Sequence, residues 1–358
     1  MNHPLNPGTL VPTCLVALLC SQSRAATWDG GSKKDSNWTT AGNWAGSRPA
    51  AGELLNFAGA TSLDPNNDFT AATSFGGITF ESGAGGFTLR GNQIVLAGNV
   101  INNDDSLQTI DLAVQLSGNR TFQTATGPVA VGGLLSGTGG LAKSGSSDLT
   151  LSGSNSYSGQ TSVTAGTLWV NGDQTTATGN LTVSAGAFLG GTGTIGGAAT
   201  IAGIHIPGAT LNAAGTQTFK GGLSYTATSL FSWTLGSEST TAGFDRVVGN
   251  GTLAVDGGAI FRVVLGSALG VLNSNFWDVN RTWSTIFTGL SGGNFSNSRL
   301  QVVDGSGALA NTGVQGQFSI SGTTLNWTAV PEPSAALAGL LLGAGLLRRR
   351  RAGGLDKS

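Results

Sequence analysis

Charged residues are scarce in this chain of 358 residues. Asp, Glu, Lys and Arg make up 10% of the sequence, against about 25% in an ordinary globular domain. Charge-rich disorder is therefore excluded, because such segments combine high net charge with low hydrophobicity, whereas 39% of this chain is hydrophobic. Helical solenoids and coiled coils need Glu, Lys, Ala and Leu at high frequency. The composition favours an all-β protein with many tight turns.

Cysteine is also nearly absent. Cys14 and Cys20 are the two cysteines, and both lie in an apolar N-terminal segment that we predict to be removed. The mature chain then has no disulfide, no cysteine zinc site and no catalytic thiolate, so its fold must be stable without covalent cross-links.

Residues for acid-base catalysis are few. His205 is the single histidine of the predicted mature chain, and we expect it to be a partly buried residue of a coil, without identifiable partners for a Ser-His-Asp triad. A polysaccharide-cleaving enzyme would need a carboxylate pair, and the acids considered for it resemble turn and surface residues: Asp104, Asp105, Asp245 and Asp256. We therefore predict a non-enzymatic protein without cofactor or metal.

A basic surplus is missing as well. The formal net charge is −1, and without the two ends that we predict to be removed, 11 bases and 16 acids leave −5. Phosphate backbones are bound by clustered Lys and Arg. Nucleic acid is accordingly not expected as a partner.

Glycine, in contrast, is abundant, at 59 residues. Residues 139–173 combine short apolar alternations with Gly, Ser, Asn and Thr clusters, a pattern typical of strands joined by tight turns. The pattern recurs: Val163–Leu168 aligns with Val183–Leu189, and Leu149–Gly153 aligns with Leu181–Gly186. Such self-similarity predicts a solenoid, in which inward residues stack in parallel ladders and glycine occupies the corners.

One segment of this repeat resembles the autotransporter-associated β-strand repeat. The residues that carry the resemblance are Leu141, Lys143, Gly145, Leu149, Thr150, Leu151, Gly153, Asn155, Tyr157, Gly159, Thr161, Val163, Ala165, Gly166, Thr167 and Leu168. The resemblance implies a right-handed parallel β-helix, and we interpret residues 139–173 as one coil of it. The segment that follows, up to Gly208, is similar to the coil that usually trails this repeat.

The N-terminal segment, Met1–Ala26, has the features of a secretory signal. Its apolar run, Leu10–Cys20, is too short to span a membrane, and small residues at Ala25 and Ala26 suit a signal cleavage site. We therefore predict export by the Sec machinery.

Aromatic residues cluster near both ends of the predicted mature chain. Trp28, Trp38 and Trp44 suit an N-terminal cap that closes the first coil, and a second cluster between residues 276 and 327 suits the other end. Exposed tryptophans also stack on sugar rings, so the alternative hypothesis is glycan stacking by these three together with Trp169.

The C-terminal segment combines Val330-Pro331-Glu332-Pro333-Ser334, an apolar run from 335 to 347, and the arginines Arg348, Arg349, Arg350 and Arg351. This order resembles the PEP-CTERM sorting signal. The resemblance implies a short transmembrane helix, transient anchoring in the inner membrane, recognition and cleavage by an exosortase, and delivery to the surface or matrix of a Gram-negative cell that makes exopolysaccharide. The arginines would stay on the cytoplasmic side.

Together these observations predict a signal peptide at 1–26, an aromatic cap at 27–73, a β-solenoid at 74–222, a β-rich region at 223–329, the sorting signal at 330–351 and a cytoplasmic tail at 352–358. The preferred function is a non-enzymatic structural or adhesive protein of the cell surface or matrix. The alternatives are a carbohydrate-binding or exopolysaccharide-associated protein and, less favoured, a polysaccharide-cleaving β-helix enzyme.

Overall fold

A computed structural model describes residues 24–266, 275–304 and 316–330. Within these ranges the chain forms 35 β-strands and two short 3-10 helices, at Ala41–Asn43 and Asn297–Arg299, so the prediction of an all-β protein is confirmed. No helix in the described ranges is long and apolar enough to cross a membrane. The predicted C-terminal helix lies outside them.

Most strands lie on three sides of a solenoid, which we call the first, second and third faces. The first face has twelve parallel strands: β1 (Ala25–Trp28), β2 (Leu54–Phe57), β5 (Gly77–Phe80), β8 (Val100–Asn102), β11 (Arg120–Thr124), β14 (Leu141–Ser144), β16 (Thr161–Val163), β19 (Leu181–Val183), β22 (Ala199–Ile201), β25 (Leu223–Tyr225), β28 (Thr252–Val255) and β32 (Ser291–Gly292).

The second face runs alongside the first with eleven parallel strands: β3 (Asn66–Asn67), β6 (Thr88–Gly91), β9 (Gln108–Ile110), β12 (Val129–Val131), β15 (Asp148–Leu151), β17 (Thr167–Val170), β20 (Phe188–Gly191), β23 (Ile204–Pro207), β26 (Leu230–Leu235), β29 (Ile260–Leu265) and β33 (Leu300–Asp304).

The third face is divided into two parallel sheets. The first sheet contains β4 (Thr73–Phe75), β7 (Ile94–Leu96), β10 (Val114–Leu116) and β13 (Leu135–Ser136). The second contains β18 (Asp173–Gln174), β21 (Thr194–Ile195), β24 (Thr216–Phe219), β27 (Arg246–Gly249) and β31 (Phe287–Thr288). A separate antiparallel sheet is formed by β30 (Arg281–Trp283), β35 (Thr324–Ala329) and β34 (Gly316–Ser321).

The register gives the length of a coil. Leu141 pairs with Thr161, and Thr161 pairs with Leu181, so the chain returns to the same position of the first face at each of these residues. The interpretation of residues 139–173 as one coil was therefore wrong, because this range contains the first-face strands β14 and β16 and nearly two coils. Three short sides joined by tight corners close the circuit in fewer residues than the repeat motif contains.

The register also tests the two alignments made from the sequence. Val163 stacks on Val183, and Leu168 stacks on Leu189, as predicted. The alignment of Leu149 with Leu181 was wrong, because these residues lie on the second and first faces. Leu149 instead stacks under Leu168.

Glycine is required where corners of neighbouring coils meet. A Cβ atom on Gly179 would lie 1.9 Å from the carbonyl oxygen of Gly159, and one on Gly197 would lie 2.1 Å from that of Gly179. Stacked coils repeat at the spacing of strands in a sheet, about 4.8 Å, which leaves no room for a side chain pointing along the stack. This close approach explains much of the glycine content.

The parallel ladder extends beyond residues 74–222 on either side, from Ala25 to Asp304. Coils lengthen toward its C-terminal end, where Leu223 pairs with Leu253 and Leu253 pairs with Gly292. The first of these intervals is half as long again as a coil of the repeat, and the second is almost twice as long. Most of the added residues lie outside the solenoid strands, and those that are described include β30 of the antiparallel sheet.

Candidate functional site on the repeat coils

Lys143 is the most unusual residue of the repeat motif, because its side chain is inside the solenoid and fully buried. Its Nζ donates hydrogen bonds to the carbonyl oxygens of Ser144 (3.0 Å), Gly145 (2.8 Å) and Ala165 (2.9 Å). Burial lowers the pKa of Lys143 to about 8, against the opposing effect of Asp148. The ammonium group therefore keeps all three donors at neutral pH and ties the corners of two coils together.

The neighbouring glycines complete this arrangement. Gly145 and Gly166 have φ angles of 82° and 64°, in the left-handed region that favours glycine. A Cβ atom on Gly166 would also lie 2.7 Å from Nζ of Lys143. The Lys-x-Gly and Ala-Gly parts of the motif thus form one structural unit, in which turns expose carbonyls to a buried amine.

A second group of motif residues occupies the break in the third face. The backbone amide of Asn155 donates to Asp173 O (3.0 Å) and that of Ser156 to Leu135 O (2.8 Å), so the segment joins the two third-face sheets. The Asn155 side chain accepts from the amide of Leu135 at 2.7 Å. Two backbone hydrogen bonds and one to a side chain thus hold this segment in the place of a strand.

Tyr157 and Thr161 belong to the same group. Their hydroxyl oxygens lie 2.7 Å apart, and both residues are buried. Burial raises the pKa of Tyr157, and the contact with Thr161 acts in the opposite direction. Gly159 lies between them against the backbone of the preceding coil, where a Cβ atom would be 2.3 Å from Gly140 N. Lys143, Asn155, Tyr157 and Thr161 of the motif are therefore buried, whereas Thr150, between buried Leu149 and Leu151, lies outward.

The predicted glycan-stacking residues of the N-terminal region are buried among themselves. The exposed fractions of Trp28, Trp38 and Trp44 are 0%, 0% and 3%. The rings of Trp28 and Trp44 pack edge to face at 5.2 Å, and Trp38 packs in the same way on Phe75 at 5.6 Å. Stacking of sugar on these three rings stays a prediction that requires these contacts to open.

Trp169 differs from them in its direction. Leu168 and Val170 belong to the core, whereas Trp169 lies outside it, over Gly190 of the next coil. Its Nε1 donates to Oδ2 of Asp148 at 3.0 Å. Alternation along the strand was the sequence signal that distinguishes this outward tryptophan from the tryptophans of the core.

His205 is completely buried, further than the partial burial that we predicted. Its Nδ1 lies 2.5 Å from the Tyr225 hydroxyl and its Nε2 lies 2.8 Å from Oε1 of Gln217. Because that amide oxygen only accepts, we assign the proton to Nε2. Burial lowers the pKa of His205 to about 4, although Gln217 opposes the shift. The imidazole is thus a neutral structural group.

Two of the four acids considered for catalysis are buried, although all four were predicted to be turn or surface residues. The interpretation as surface residues was wrong for Asp104 and Asp245, whose exposed fractions are 5% and 0%. Asp245 accepts from the amides of Gly215 and Thr234, both at 2.8 Å. Burial raises the pKa of Asp245, and these donors oppose the shift. Both oxygens accept from backbone amides, so this carboxyl links the loop at Gly215 to strand β26.

Asp104 has a similar role, accepting from the amides of Gly83 and Ser106 at 2.9 Å each. Asp105 is exposed, and Asp256 accepts from the amide of Gly258 in a turn at 3.0 Å. No three His, Cys, Asp or Glu side chains are grouped to hold a metal within the described ranges.

The predicted processing sites lie at the limits of the described chain. Ala25 and Ala26 form the first half of β1, where they pair with Leu54 and Leu55. Cleavage after Ala26 would leave Thr27 and Trp28 of this strand. At the other end, Val330 is 52% exposed, and Pro331, Glu332, Pro333, Ser334 and Arg348–Arg351 lie outside the described residues.

Comparison with known proteins shows which family the repeat matches. Residues 141–170 match the family described as passenger-associated-transport-repeat. Over 164 residues the chain is 38% identical to the adhesin BmaC autotransporter of Brucella suis biovar 1 (strain 1330), and this match covers 41% of the chain and 5% of the adhesin. The chain thus corresponds to a small part of that relative. No solved structure matches. The chain therefore carries an autotransporter-associated repeat, as its motif predicted.

Proposed function

We propose that this protein is an exported, non-enzymatic β-helical scaffold that acts in adhesion at the cell surface or in the extracellular matrix. The observation that carries the proposal is the similarity of 164 residues to an autotransporter adhesin. Internal placement of the motif residues supports it. Because the buried residues of the motif hold the coils together, the residues at outward positions can vary with the surface that is bound.

The outer side of the first face is a regular surface of the repeat coils. Ser162, Thr182, Thr200 and Ser224 follow one another in register along it. Each lies between inward residues, as in Thr161–Val163. Repeated hydroxyl groups on a rigid stack suit adhesion through many weak neutral contacts rather than one deep site.

The non-enzymatic part of the proposal is supported by the roles of the candidate catalytic residues. Asp104 and Asp245 are occupied by backbone amides, and His205 is enclosed by Tyr225 and Gln217. A general acid or base must reach its substrate. These three residues instead stabilise the coils.

We also propose the sorting route that the two ends of the sequence predicted. The Sec machinery exports the chain, a short C-terminal helix holds it transiently in the inner membrane, and an exosortase reads the segment from Val330 to Arg351 before delivery. Mass spectrometry of the protein from its native cells tests this route. We expect a new N-terminus near Ala25 or Ala26 and a C-terminus near 330–333. A surface form that retains Arg348–Arg351 would contradict the exosortase step.

Adhesion is tested by deleting the gene and complementing it with the full chain. We expect the deletion strain to lose attachment to abiotic surfaces or to matrix, and the complemented strain to recover it. Protease treatment of intact cells should remove the protein. Unchanged attachment, or a protein that stays inside the cell, would overturn the proposed function.

A further inference from the structure

A groove lies on the outer side of the second face, where the loop between β23 and β24 overhangs the repeat coils. Its volume is about 390 Å³, and it is lined by Asp148, Thr150, Trp169, Asn171, Ala209, Thr210, Leu211 and Asn212. This volume falls within the usual range for small-ligand sites, about 300–1,000 Å³. The four loop residues are all exposed, so the groove opens to solvent.

Trp169 is held against the outer side of the sheet and lines this groove. A Cβ atom at Gly190 would lie 2.2 Å from Cζ3 of the indole, so only glycine lets the ring rest on the next coil. On the preceding coil, Asp148 accepts the indole Nε1–H at 3.0 Å. The ring is therefore fixed across three coils, without a ligand to hold it.

The exposed fraction of Trp169 is 7%, which limits how a ligand can approach it. A molecule in the groove contacts the part of the ring that remains open instead of lying across its whole face. Leu211, at the tip of the overhanging loop, is 53% exposed and supplies a second apolar contact. The groove thus has two apolar contacts for one small ring.

The polar lining determines the charge of the ligand. Asp148 supplies a carboxylate, Thr150 and Thr210 supply hydroxyls, and Asn171 and Asn212 supply amides, while no Lys, Arg or His is among the described residues that line the groove. Besides the bond from Trp169, no hydrogen bond to the Asp148 carboxylate occurs among the described residues. A phosphate, sulfate or uronate would meet a carboxylate without contact to a cation, because the Lys143 ammonium is inside the solenoid. Neutral hydroxyls match acceptors and amides of this kind.

The geometry points to a neutral sugar residue of a surface or matrix glycan as the ligand of this groove. Asp148 and Asn171 would bond its hydroxyls, and Trp169 and Leu211 would contact its C–H groups. This inference rests on the proposed function for its location outside the cell. It adds a substrate class and a site to the carbohydrate-binding alternative, and among the four tryptophans considered for sugar contact it selects Trp169.

The test is titration of the purified full chain with neutral and acidic oligosaccharides, by glycan array and then calorimetry. We expect neutral glycans to bind and acidic ones to bind more weakly. Asp148→Ala should reduce affinity about tenfold or more, since a hydrogen bond to a charged group contributes about 1.5–3 kcal/mol. Trp169→Phe should also weaken binding, because the smaller ring loses contact with the C–H groups of the sugar. Asp105→Ala, an exposed carboxylate two coils earlier, is the matched control and should bind as the wild type does.

Folding is checked by urea denaturation of each variant, and Asp148→Ala decides the question where Trp169→Phe is unstable. Absence of binding to any neutral glycan, stronger binding to acidic glycans, or unchanged affinity in a folded Asp148→Ala variant would overturn the inference. Adhesion of complemented cells separates the two proposals. If attachment depends on the protein but the purified chain binds no sugar, the glycan inference is wrong and the scaffold function stands. If the deletion strain attaches as well as the complemented strain, the scaffold function itself is wrong.

Discussion

The repeat coils between residues 141 and 201 and the long coils after residue 223 bury their interiors by different means. First-face partners in the repeat lie at short and nearly equal intervals, and the interior combines aliphatic side chains with Lys143 and the Tyr157–Thr161 pair. After residue 223 the intervals between partners are half as long again and then almost twice as long. There many aromatic side chains, such as Phe231 and Trp233, join the aliphatic ones in the interior.

Length explains the difference. A coil as short as those of the repeat has no residues left for side loops, so its corners must be glycine and its turn carbonyls must find donors inside. Longer coils extend beyond the stack and continue the core onto the antiparallel sheet, where Trp277 and Trp327 pack edge to face at 5.1 Å. The loop that follows β26 is tied to this core, because Trp277 donates to Glu238 Oε1 (3.0 Å) and Trp283 to Ser239 O (2.8 Å).

The largest expected effect comes from breaking a corner of the repeat. Gly179→Ala places a Cβ atom 1.9 Å from the backbone oxygen of Gly159, and backbone cannot move aside as a flexible side chain does. We expect a loss of about 3 kcal/mol in the free energy of unfolding, measured by urea denaturation. Gly257→Ala is the control, because nothing lies within 4 Å of its added Cβ. Equal effects of the two substitutions would show that corner contact does not limit the repeat.

The next effect is acid sensitivity where the two regions meet, at His205. The folded pKa of about 4 lies below the ordinary value of 6.5, so the unfolded chain binds the proton first as the pH falls. The contribution of His205 to the free energy of unfolding is therefore fully present above about pH 6.5. It decreases by about 3 kcal/mol as the pH falls toward 4. Asp245 acts in the opposite sense, since its pKa is raised.

Comparison of the wild type with His205→Gln isolates the contribution of the histidine. The amide keeps hydrogen-bonding capacity for Tyr225 and Gln217 but does not titrate. We expect urea midpoints of the variant to depend less on pH between 6.5 and 4 than those of the wild type. Parallel curves for the two proteins would contradict the assigned burial of a neutral imidazole.

The sequence predicted the ladders but not the length of the coil. Val163 over Val183 and Leu168 over Leu189 follow from apolar alternation, because strands show their pattern in every second residue. The shorter circuit does not follow from the motif, since nothing within the motif marks where the chain passes over itself. That information lies in the corners, where glycine contacts glycine of the neighbouring coil.

For the candidate site, too, the sequence identified some residues correctly but not how they are arranged. Lys143 was identified by resemblance, but burial of a lysine is contrary to the general rule and becomes favourable only when two coils together present three carbonyls. Asp245 was misplaced for the same reason, because its amide donors come from residues 215 and 234. The direction of Trp169 was available from the alternation around it, whereas the overhanging loop was not.

A smaller effect is expected from removing the buried amine of the repeat. Lys143→Met keeps an apolar stem of similar length and leaves the carbonyls of Ser144, Gly145 and Ala165 without their donor. The lost bonds outweigh the saved cost of burying a charge, and we expect about 2 kcal/mol of destabilisation. Lys220→Met, at an exposed lysine, is the control for loss of charge. If both variants unfold at the same urea concentration, the amine does not link the coils.

The smallest effect is expected on the outer side of the first face, and it separates the stability of the repeat from its proposed adhesive role. Ser162 lies outward between buried Thr161 and Val163, so Ser162→Ala removes a hydroxyl without opening the core. We expect the free energy of unfolding to change by less than about 0.5 kcal/mol. Replacing Ser162, Thr182 and Thr200 together should then weaken attachment of complemented cells while urea midpoints stay close to wild type. A large loss of stability from these outward residues would mean that the repeat is not held together from the inside.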